Sequence, residues 1–252
     1  MRVALSAGMI NFVQTLLIMK VQIWSDVMCP FCYIGKRRFE EALTAFSQQD
    51  KVEIEWKSFQ LNPVLKTDTQ ISVYQSLADS KGWQLDYSKQ VTGQVAEMAS
   101  QVGLDFNFDQ AVVANSFNAH RFIHFAKQHN LGDAAEEQLF RAYFTDGLNI
   151  DDQNTLVELG TKIGLDANEV RKTLNNTEAF AGEVRQDISE AETLGIRGVP
   201  FFVMNDKYAV SGAQATDVFL NTLNTADQEW EQEEGKGFTV TDGPSCDVDG
   251  NC

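Results

Sequence analysis

The first part of the chain has a pattern of apolar residues that predicts a strand, a helix and a second strand. Residues 21–24 form a short apolar run typical of a buried strand. Apolar residues then recur at helical spacing, and Pro30 stands where the first helical turn tolerates a missing N–H group. A helix is therefore expected over about 29–46. Residues 52–61 alternate between apolar and polar side chains, which predicts the second strand.

The rest of the pattern consists of a long helical block and a short strand-rich end. From about residue 71 to 194 the spacing is helical, and breaks rich in Gly and Asn separate six or seven helices with essentially no strand. Residues 201–204 and 208–210 then predict two strands, which a turn at residues 205–206 joins into a hairpin. A last helix is expected over about 216–226.

The order of these elements predicts an α/β fold in which two separated segments form one domain. The order is β-α-β, a helical block, then β-β-α, so the two ends should make a four-stranded sheet with two flanking helices. We assign residues 19–65 and 196–226 to this domain, and residues 66–195 to a large all-helical insertion between its second and third strands. Residues 1–18 are expected to be an extension before a functional start at Met19.

Charge and composition add a tail to this organisation and exclude some partners. The 252 residues include 36 acidic and 20 basic ones, a net charge of -16. Such a balance disfavours nucleic acid and anionic membranes, which both require clustered Lys and Arg. Acidic residues are concentrated in residues 227–252, which we expect to form a flexible or loosely docked tail.

The apolar run at the N-terminus does not predict a membrane span, and it favours an extension over a cleaved signal peptide, which is kept as the alternative. Polar residues interrupt it before it reaches the roughly 18 apolar residues that a spanning helix needs. The small residues that a signal peptidase would require lie before the apolar run rather than after it. A cytoplasmic location is therefore expected.

Two of the four cysteines form the motif Cys29-Pro30-Phe31-Cys32, between the first predicted strand and helix. Four cysteines are too few for a secreted fold built on disulfides. A thiol at a helix N-terminus faces unpaired N–H groups and the positive end of the helix dipole, which favours the thiolate form. We therefore expect Cys29 to exchange with a disulfide, and Cys32, one turn later, to complete or release the mixed disulfide.

A single CxxC motif also fits half a zinc site or two unreactive thiols. Zinc bound by all four cysteines is disfavoured because Cys246 and Cys252 are more widely spaced than a usual ligand pair, and no histidine lies near either pair in the sequence. We assign no metal. The second pair lies in the tail, where a small loop closes easily. It is either an auxiliary redox pair that exchanges electrons with Cys29 and Cys32, or two exposed thiols.

Residues 24–36, with the sequence WSDVMCPFCYIGK, closely resemble the active-site segment of FrnE-like proteins, a branch of the DsbA-type thioredoxin superfamily. The resemblance continues in order through residues 115–121, 139–147 and 195–203, and covers about residues 19–226. It implies a thioredoxin fold with a helical insertion and a thiol–disulfide oxidoreductase activity, with protein disulfide isomerisation as a variant. Some FrnE-like proteins also have a second cysteine pair.

The resemblance further implies that the bond between Val199 and Pro200 is cis and lies beside Cys29. The Val199 backbone would then be free to pair with an extended substrate. Pro30, Phe31, Val199 and Pro200 are accordingly assigned to substrate binding.

Three polar residues of the resembling segments have two interpretations each. Asp26 either caps the helix or influences the proton of a thiol. His120 and Arg121 either line the active-site cleft or belong to the structure of one helix face, where Arg121 would pair with a carboxylate. The structural role is favoured for all three.

We therefore predict an enzyme, a cytoplasmic thiol–disulfide oxidoreductase whose partners are protein or small-molecule thiols and disulfides. No bound cofactor is expected, and glutathione is a candidate co-substrate. The sequence does not distinguish a monomer from a homodimer.

Glutathione-dependent enzymes of the same superfamily are the alternative. Kappa-class glutathione transferases and 2-hydroxychromene-2-carboxylate isomerases share the insertion, but they typically present a serine where Cys29 stands and do not need Cys32. Residues 212–214 also lack the Ser-Asp pair that marks kappa-class glutathione binding. A non-catalytic binding module would leave the two cysteines unexplained.

Overall fold

The structure is a computed structural model that describes residues 18–230, 239–241, 243 and 246–247. The strands are β1 (Met19–Ser25), β2 (Val52–Ser58), β3 (Asp68–Ser72), β4 (Val112–Val113), β5 (Gly198–Val199), β6 (Phe201–Met204), β7 (Tyr208–Ser211), β8 (Thr239–Thr241) and β9 (Cys246–Asp247). The helices are α1 (Pro30–Ala45), α2 (Val73–Lys81), α3 (Leu85–Ser100), α4 (Phe117–Lys127), α5 (Gly132–Phe144), α6 (Gln153–Lys162), α7 (Ala167–Asn175), α8 (Ala181–Thr193) and α9 (Thr216–Trp230). The N-terminal extension was expected over residues 1–18. Of these, residues 1–17 lie outside the described residues.

The central sheet has the strand order β2-β1-β6-β7-β8. β1 is parallel to β2 and antiparallel to β6, and β6 and β7 form the predicted hairpin. Asn205 and Asp206 in its turn have φ angles of 51° and 54°, which hairpin turns of two residues commonly require and which Asn and Asp tolerate. The short strand β8 pairs in parallel with β7 and adds a fifth strand to the predicted four.

Both faces of this sheet are covered, which explains why its strands are apolar runs. On one face Phe39 of α1, Phe202 of β6 and Phe219 of α9 pack together, with ring centroids 4.7–5.8 Å apart. On the other face the indole N–H of Trp24 donates to the Asp187 carbonyl of α8 at 3.0 Å. The central strands therefore lie between α1 and α9 on one side and the insertion on the other.

The insertion contains seven helices, α2 to α8, within the predicted six or seven. Polar side chains begin several of them, as when Ser72 accepts the Gln75 N–H before α2 and Asp152 accepts the Thr155 N–H before α6. One feature differs from an all-helical block: β3 and β4 form a small antiparallel ribbon. β4 has only two residues, too few for an alternating pattern to reveal. The whole is a thioredoxin fold with a mainly helical insertion.

The described parts of the tail pair with the core through their backbones. β8 extends the central sheet, and β9 pairs antiparallel with β5, so that Cys246 lies opposite Val199. α9 ends at Trp230 rather than near residue 226. In the described part of the chain, no helix is both long and apolar enough to cross a membrane.

Candidate active site

The CxxC motif lies at the junction of β1 and α1, as the sequence predicts. Cys29 is the N-cap residue of α1, with extended backbone angles, and Pro30 is the first helical residue. The Cys29 N–H donates to the Asp26 carbonyl at 2.9 Å, and the Cys32 N–H donates to the Cys29 carbonyl at 3.0 Å. The second bond begins the helix, so Cys32 lies one turn inside it.

Val199 and Pro200 lie against the motif. The bond between them is cis, which confirms what the family resemblance implies, and the Cys29 thiol donates to the Val199 carbonyl at 3.5 Å. Gly35 lets α1 approach Pro200 closely, because a Cβ at this position would lie 3.0 Å from Pro200 Cγ. Helix and loop therefore meet at the first cysteine.

Both cysteines are free thiols, and both are buried. Cys32 is shielded, as expected for a resolving thiol, but Cys29 is equally inaccessible, with an exposed fraction of 0%. Phe31 is buried as well, whereas Pro30 is partly exposed. Beside Cys29, the backbone of Val199 is paired with β9. The peptide edge that was assigned to substrate is thus occupied by the chain's own tail.

The surroundings of Cys32 favour its protonated form. Burial raises the pKa of the Cys32 thiol well above its ordinary value, and the neighbouring Cys29 raises this pKa further. Two donors act in the opposite direction: the backbone N–H of Asp26 and the side-chain hydroxyl of Ser25 lower the pKa of Cys32. The resolving thiol is therefore protonated until a partner removes its proton.

Asp26 braces the loop before the motif. Its carboxylate accepts the Met28 N–H at 3.3 Å and the Leu61 N–H at 2.8 Å, which ties this loop to the chain after β2. The cap of α1 has no side-chain hydrogen bond, so Asp26 does not cap the helix. His120 of α4 places Nε2 at 3.6 Å from Asp26 Oδ1, and neither ring nitrogen has a hydrogen-bond partner in the described part of the chain.

Burial and charge act in opposite directions on His120. Burial lowers its pKa, but contact with Asp26 and the charges of Glu136 and Asp187 raise it, and the net result is a raised pKa. His120 therefore belongs to a buried acidic environment below the motif.

Arg121 has contacts of a structural kind. Its guanidinium donates to the carbonyls of Ala179 at 2.8 Å and Thr173 at 3.0 Å, and also to the carbonyl of Asn176. These bonds hold the connection between α7 and α8, and no carboxylate takes part in them.

Glu136 of α5 is a site residue that the sequence analysis missed. It is 1% exposed, and its carboxylate accepts the Ser25 hydroxyl at 2.7 Å. Burial raises the pKa of Glu136 to about 7. The signal was an acidic residue on an otherwise apolar helix face, which it shares with Leu139, Phe140 and Tyr143.

The next residue, Glu137, fixes α5 against α1. Its carboxylate accepts the Tyr33 hydroxyl at 2.7 Å and binds the Arg37 guanidinium. Burial alone would raise the pKa of Glu137, but these two partners and Lys36 lower it to about 2. We call these contacts of ionised Glu137 with Tyr33 and Arg37 the latch. The latch holds α5 at the position from which Glu136 reaches Ser25.

Of the second cysteine pair, only Cys246 lies among the described residues. Cys246 belongs to β9 through its backbone, while Cys252 lies outside the described residues. Among the residues that are described, no group of three or more His, Cys, Asp or Glu side chains could hold a metal ion.

Fold and motif together define a thioredoxin-fold protein with a helical insertion and a CxxC site. The sequence model of the DSBA-like thioredoxin domain matches residues 20–224, and the chain belongs to this family. The predicted DsbA-type superfamily is thereby confirmed. A relative from Bacillus subtilis strain 168, the uncharacterized protein YwbO, is 30% identical over 207 residues, 81% of this chain and 95% of the relative.

Solved structures share the same architecture. A probable DsbA oxidoreductase from Streptomyces coelicolor superposes with a TM-score of 0.79 at 36% identity, covering 92% of this chain and 97% of the other. A 2-hydroxychromene-2-carboxylate isomerase superposes with a TM-score of 0.61 at 14% identity, covering 85% of this chain and all of the other. At that low identity, the second likeness concerns the fold alone.

Proposed function

We propose that the protein is a thiol–disulfide oxidoreductase of the FrnE-like branch, in which Cys29 is the nucleophile and Cys32 the resolving thiol. The observation that carries the proposal is the placement of two free thiols one helical turn apart, with Cys29 at the N-cap of α1 and against Val199. A helix N-terminus stabilises the thiolate that such exchange requires.

The proposed reaction transfers two electrons to a substrate disulfide. The Cys29 thiolate attacks one substrate sulfur, forms a mixed disulfide and expels the other sulfur as a thiolate. Cys32 then loses its proton and attacks the Cys29 sulfur, which expels the second substrate thiolate and leaves a Cys29–Cys32 disulfide. The substrate thiolates take up two protons, and the reverse sequence oxidises a dithiol. Stopping at the mixed disulfide and reshuffling it would be disulfide isomerisation.

A pair of serine variants tests these roles. Cys29→Ser should abolish reduction of insulin and of small aromatic disulfides, because no mixed disulfide can form. Cys32→Ser, combined with Cys246→Ser and Cys252→Ser so that no tail thiol can act in its place, should accumulate mixed disulfides, visible as mass adducts on Cys29, because the resolving thiol is absent. A Cys29→Ser protein that keeps near-normal exchange contradicts the proposal. So does a glutathione-dependent isomerase activity that survives Cys32→Ser without any trapped adduct.

The partners in this proposal are cytoplasmic protein or small-molecule thiols and disulfides, with glutathione as a candidate co-substrate and no bound cofactor. Support comes from the backbone of Val199, which pairs with an extended segment in the structure, namely β9. A substrate peptide would use the same hydrogen bonds and bind by strand addition.

We further propose that Cys246 and Cys252 act as an auxiliary redox pair. The pairing of β9 with β5 places the backbone of residue 246 opposite Val199, whose carbonyl is 3.5 Å from the Cys29 sulfur. A Cys32→Ser variant under mild oxidation should therefore form a disulfide between Cys29 and a tail cysteine, detectable by peptide mass mapping. A Cys246→Ser, Cys252→Ser variant with unchanged oxidation kinetics at Cys29 and Cys32 would remove the auxiliary role.

A further inference from the structure

Cys32 has to exchange a proton in each turnover, and the site gives it little access to water. Its side chain is 1% exposed, and its neighbour Cys29 is fully covered. The resolving step needs Cys32 to give up a proton, and the reverse step needs it to regain one. A buried thiol of this kind requires a proton acceptor among the protein groups that surround it.

Building on the proposed dithiol exchange, we propose that Glu136 is this proton acceptor and donor, and that the hydroxyl of Ser25 relays the proton between Glu136 and Cys32. Ser25 is the last residue of β1, and Glu136 comes from α5 of the insertion, 111 positions later. Their oxygens are 2.7 Å apart, and both side chains are 1% exposed. The Ser25 hydroxyl also lowers the pKa of the Cys32 thiol.

The relay balances without any other reactant. Cys32 passes its proton to the Ser25 oxygen while the Ser25 proton moves to Glu136, so that a thiolate, an intact hydroxyl and a neutral carboxyl result. The new Ser25 proton points at the thiolate and stabilises it. The thiolate attacks the Cys29 sulfur and expels the bound substrate as a thiolate. Glu136 then gives up its proton, which the expelled substrate thiolate takes up, and the carboxylate is restored. In the oxidising direction Cys32 leaves as a thiolate and recovers a proton from neutral Glu136 by the same path.

Asp26 is the competing acid, and its contacts make it unsuitable. Its carboxylate already accepts the backbone N–H groups of Met28 and Leu61. What Asp26 offers to Cys32 is its own backbone N–H, which can donate a hydrogen bond but cannot accept a proton. The carboxylate of Glu136, by contrast, accepts a hydrogen bond from the Ser25 hydroxyl, and this hydroxyl lowers the pKa of Cys32.

Burial and the groups around Glu136 place its pKa near neutral pH, where a carboxyl group can carry a proton. Burial raises its pKa to about 7. His120 of α4 and Lys36 of α1 oppose this rise, and Asp133 on its own helix adds to it. The charged groups of β2 and α8 that pack nearby bind one another instead, as in the ion pair of Lys57 with Asp187. An acid with a pKa near the ambient pH both accepts and returns a proton readily.

The test follows the two steps of exchange separately. Reduced protein is mixed with 5,5′-dithiobis(2-nitrobenzoate) in a stopped-flow instrument, where attack by Cys29 releases the first coloured thiolate and attack by Cys32 releases the second. In Glu136→Gln and in Ser25→Ala the second phase should slow by about 10²-fold near pH 7, the lower end of the usual contribution of acid–base groups. The first phase should change little.

Glu158→Gln is the matched control, because it makes the same chemical change at an exposed glutamate on α6, another helix of the insertion. Its second phase should keep the wild-type dependence on pH, with an inflection near pH 7, whereas Glu136→Gln should lose the inflection. A Glu136→Gln profile that superposes on the wild type overturns the relay. Absence of both coloured phases in the wild type would instead contradict the proposed function.

Unmodified protein provides a second measurement if the variants do not fold. Infrared titration of the carboxyl groups should reveal one that titrates near pH 7 in the reduced protein. Its midpoint should move on oxidation, because the Cys32 thiol is then replaced by a disulfide sulfur with no proton to exchange. A carboxyl group whose midpoint is the same in both redox states, or the lack of one titrating near pH 7, overturns the proposal.

Discussion

Replacing Glu136 by Gln should stabilise the folded protein at neutral and alkaline pH. Ionised Glu136 is buried, and its pKa rises from the ordinary 4.5 to about 7 on folding. Because its pKa is raised in the folded protein, the neutral Glu136 side chain contributes fully to the free energy of unfolding below about pH 4.5. This contribution is lost as the pH rises towards 7. At about 1.36 kcal/mol for each pH unit between the two values, the ionised form costs the folded state about 3 kcal/mol above pH 7.

The neutral amide of Gln removes that cost but keeps an oxygen that can accept the Ser25 hydroxyl. Glu136→Gln should therefore match the wild type near pH 4.5 and exceed its free energy of unfolding by up to about 3 kcal/mol at pH 8. Urea unfolding at pH 4.5, 6 and 8, followed by circular dichroism, measures this difference. A difference that is the same at all three pH values would refute the reasoning, because only a titrating buried carboxylate produces the predicted growth.

Glu137→Gln should show the opposite sign. The pKa of Glu137 is lowered on folding, so its contribution is present above about pH 4.5 and is lost as the pH falls towards about 2. Its side chain is 27% exposed, and solvent screening reduces its worth. The variant should be about 1–2 kcal/mol less stable than the wild type throughout the range from pH 6 to 8. Two adjacent glutamates would then change stability in opposite directions.

Other predictions concern the core, the insertion and the tail. Phe219→Ala should lower the free energy of unfolding by about 3–5 kcal/mol in urea, since a fully buried ring is removed from the packing of α1 and α9. Arg121→Ala should lower the free energy of unfolding by about 1–3 kcal/mol, because partly buried carbonyls lose their donor, while the folded protein keeps its rate of disulfide exchange. Truncation after Trp230 should speed the alkylation of Cys29 by iodoacetamide, measured by mass spectrometry, because β9 no longer pairs beside it; an unchanged rate would show that the tail does not restrict access.

Local signals in the sequence predicted those parts of the fold that depend on neighbouring residues. Pro30 after Cys29 marks the start of α1, and the turn of Asn205 and Asp206 marks the hairpin, because each residue type suits the backbone angles at its position. The pairing of β9 with β5 could not be predicted in this way. Backbone hydrogen bonds between segments of two residues each leave no periodic pattern of side chains.

The candidate site was predictable to the same extent. The motif identified both cysteines, and the family resemblance identified the cis bond at Pro200, but spacing could not show that Ser25 meets Glu136. These residues are 111 positions apart, and the contact arises only when the insertion folds back onto β1. An acidic residue on an apolar helix face was the visible hint, and it required a partner before it could be interpreted.

The position of Glu136 gives the insertion a part in the chemistry as well as in the shape of the site. The separated ends of the chain supply the two thiols, the Val199 carbonyl and the Ser25 hydroxyl. The insertion supplies the buried carboxyl group of Glu136 on α5. Glu137, the next residue, binds α5 to α1 through Arg37. A change that loosened this latch would therefore displace the proton acceptor of Cys32 without touching either cysteine. In the proposed relay, the position of α5 thus couples the insertion to the resolving step.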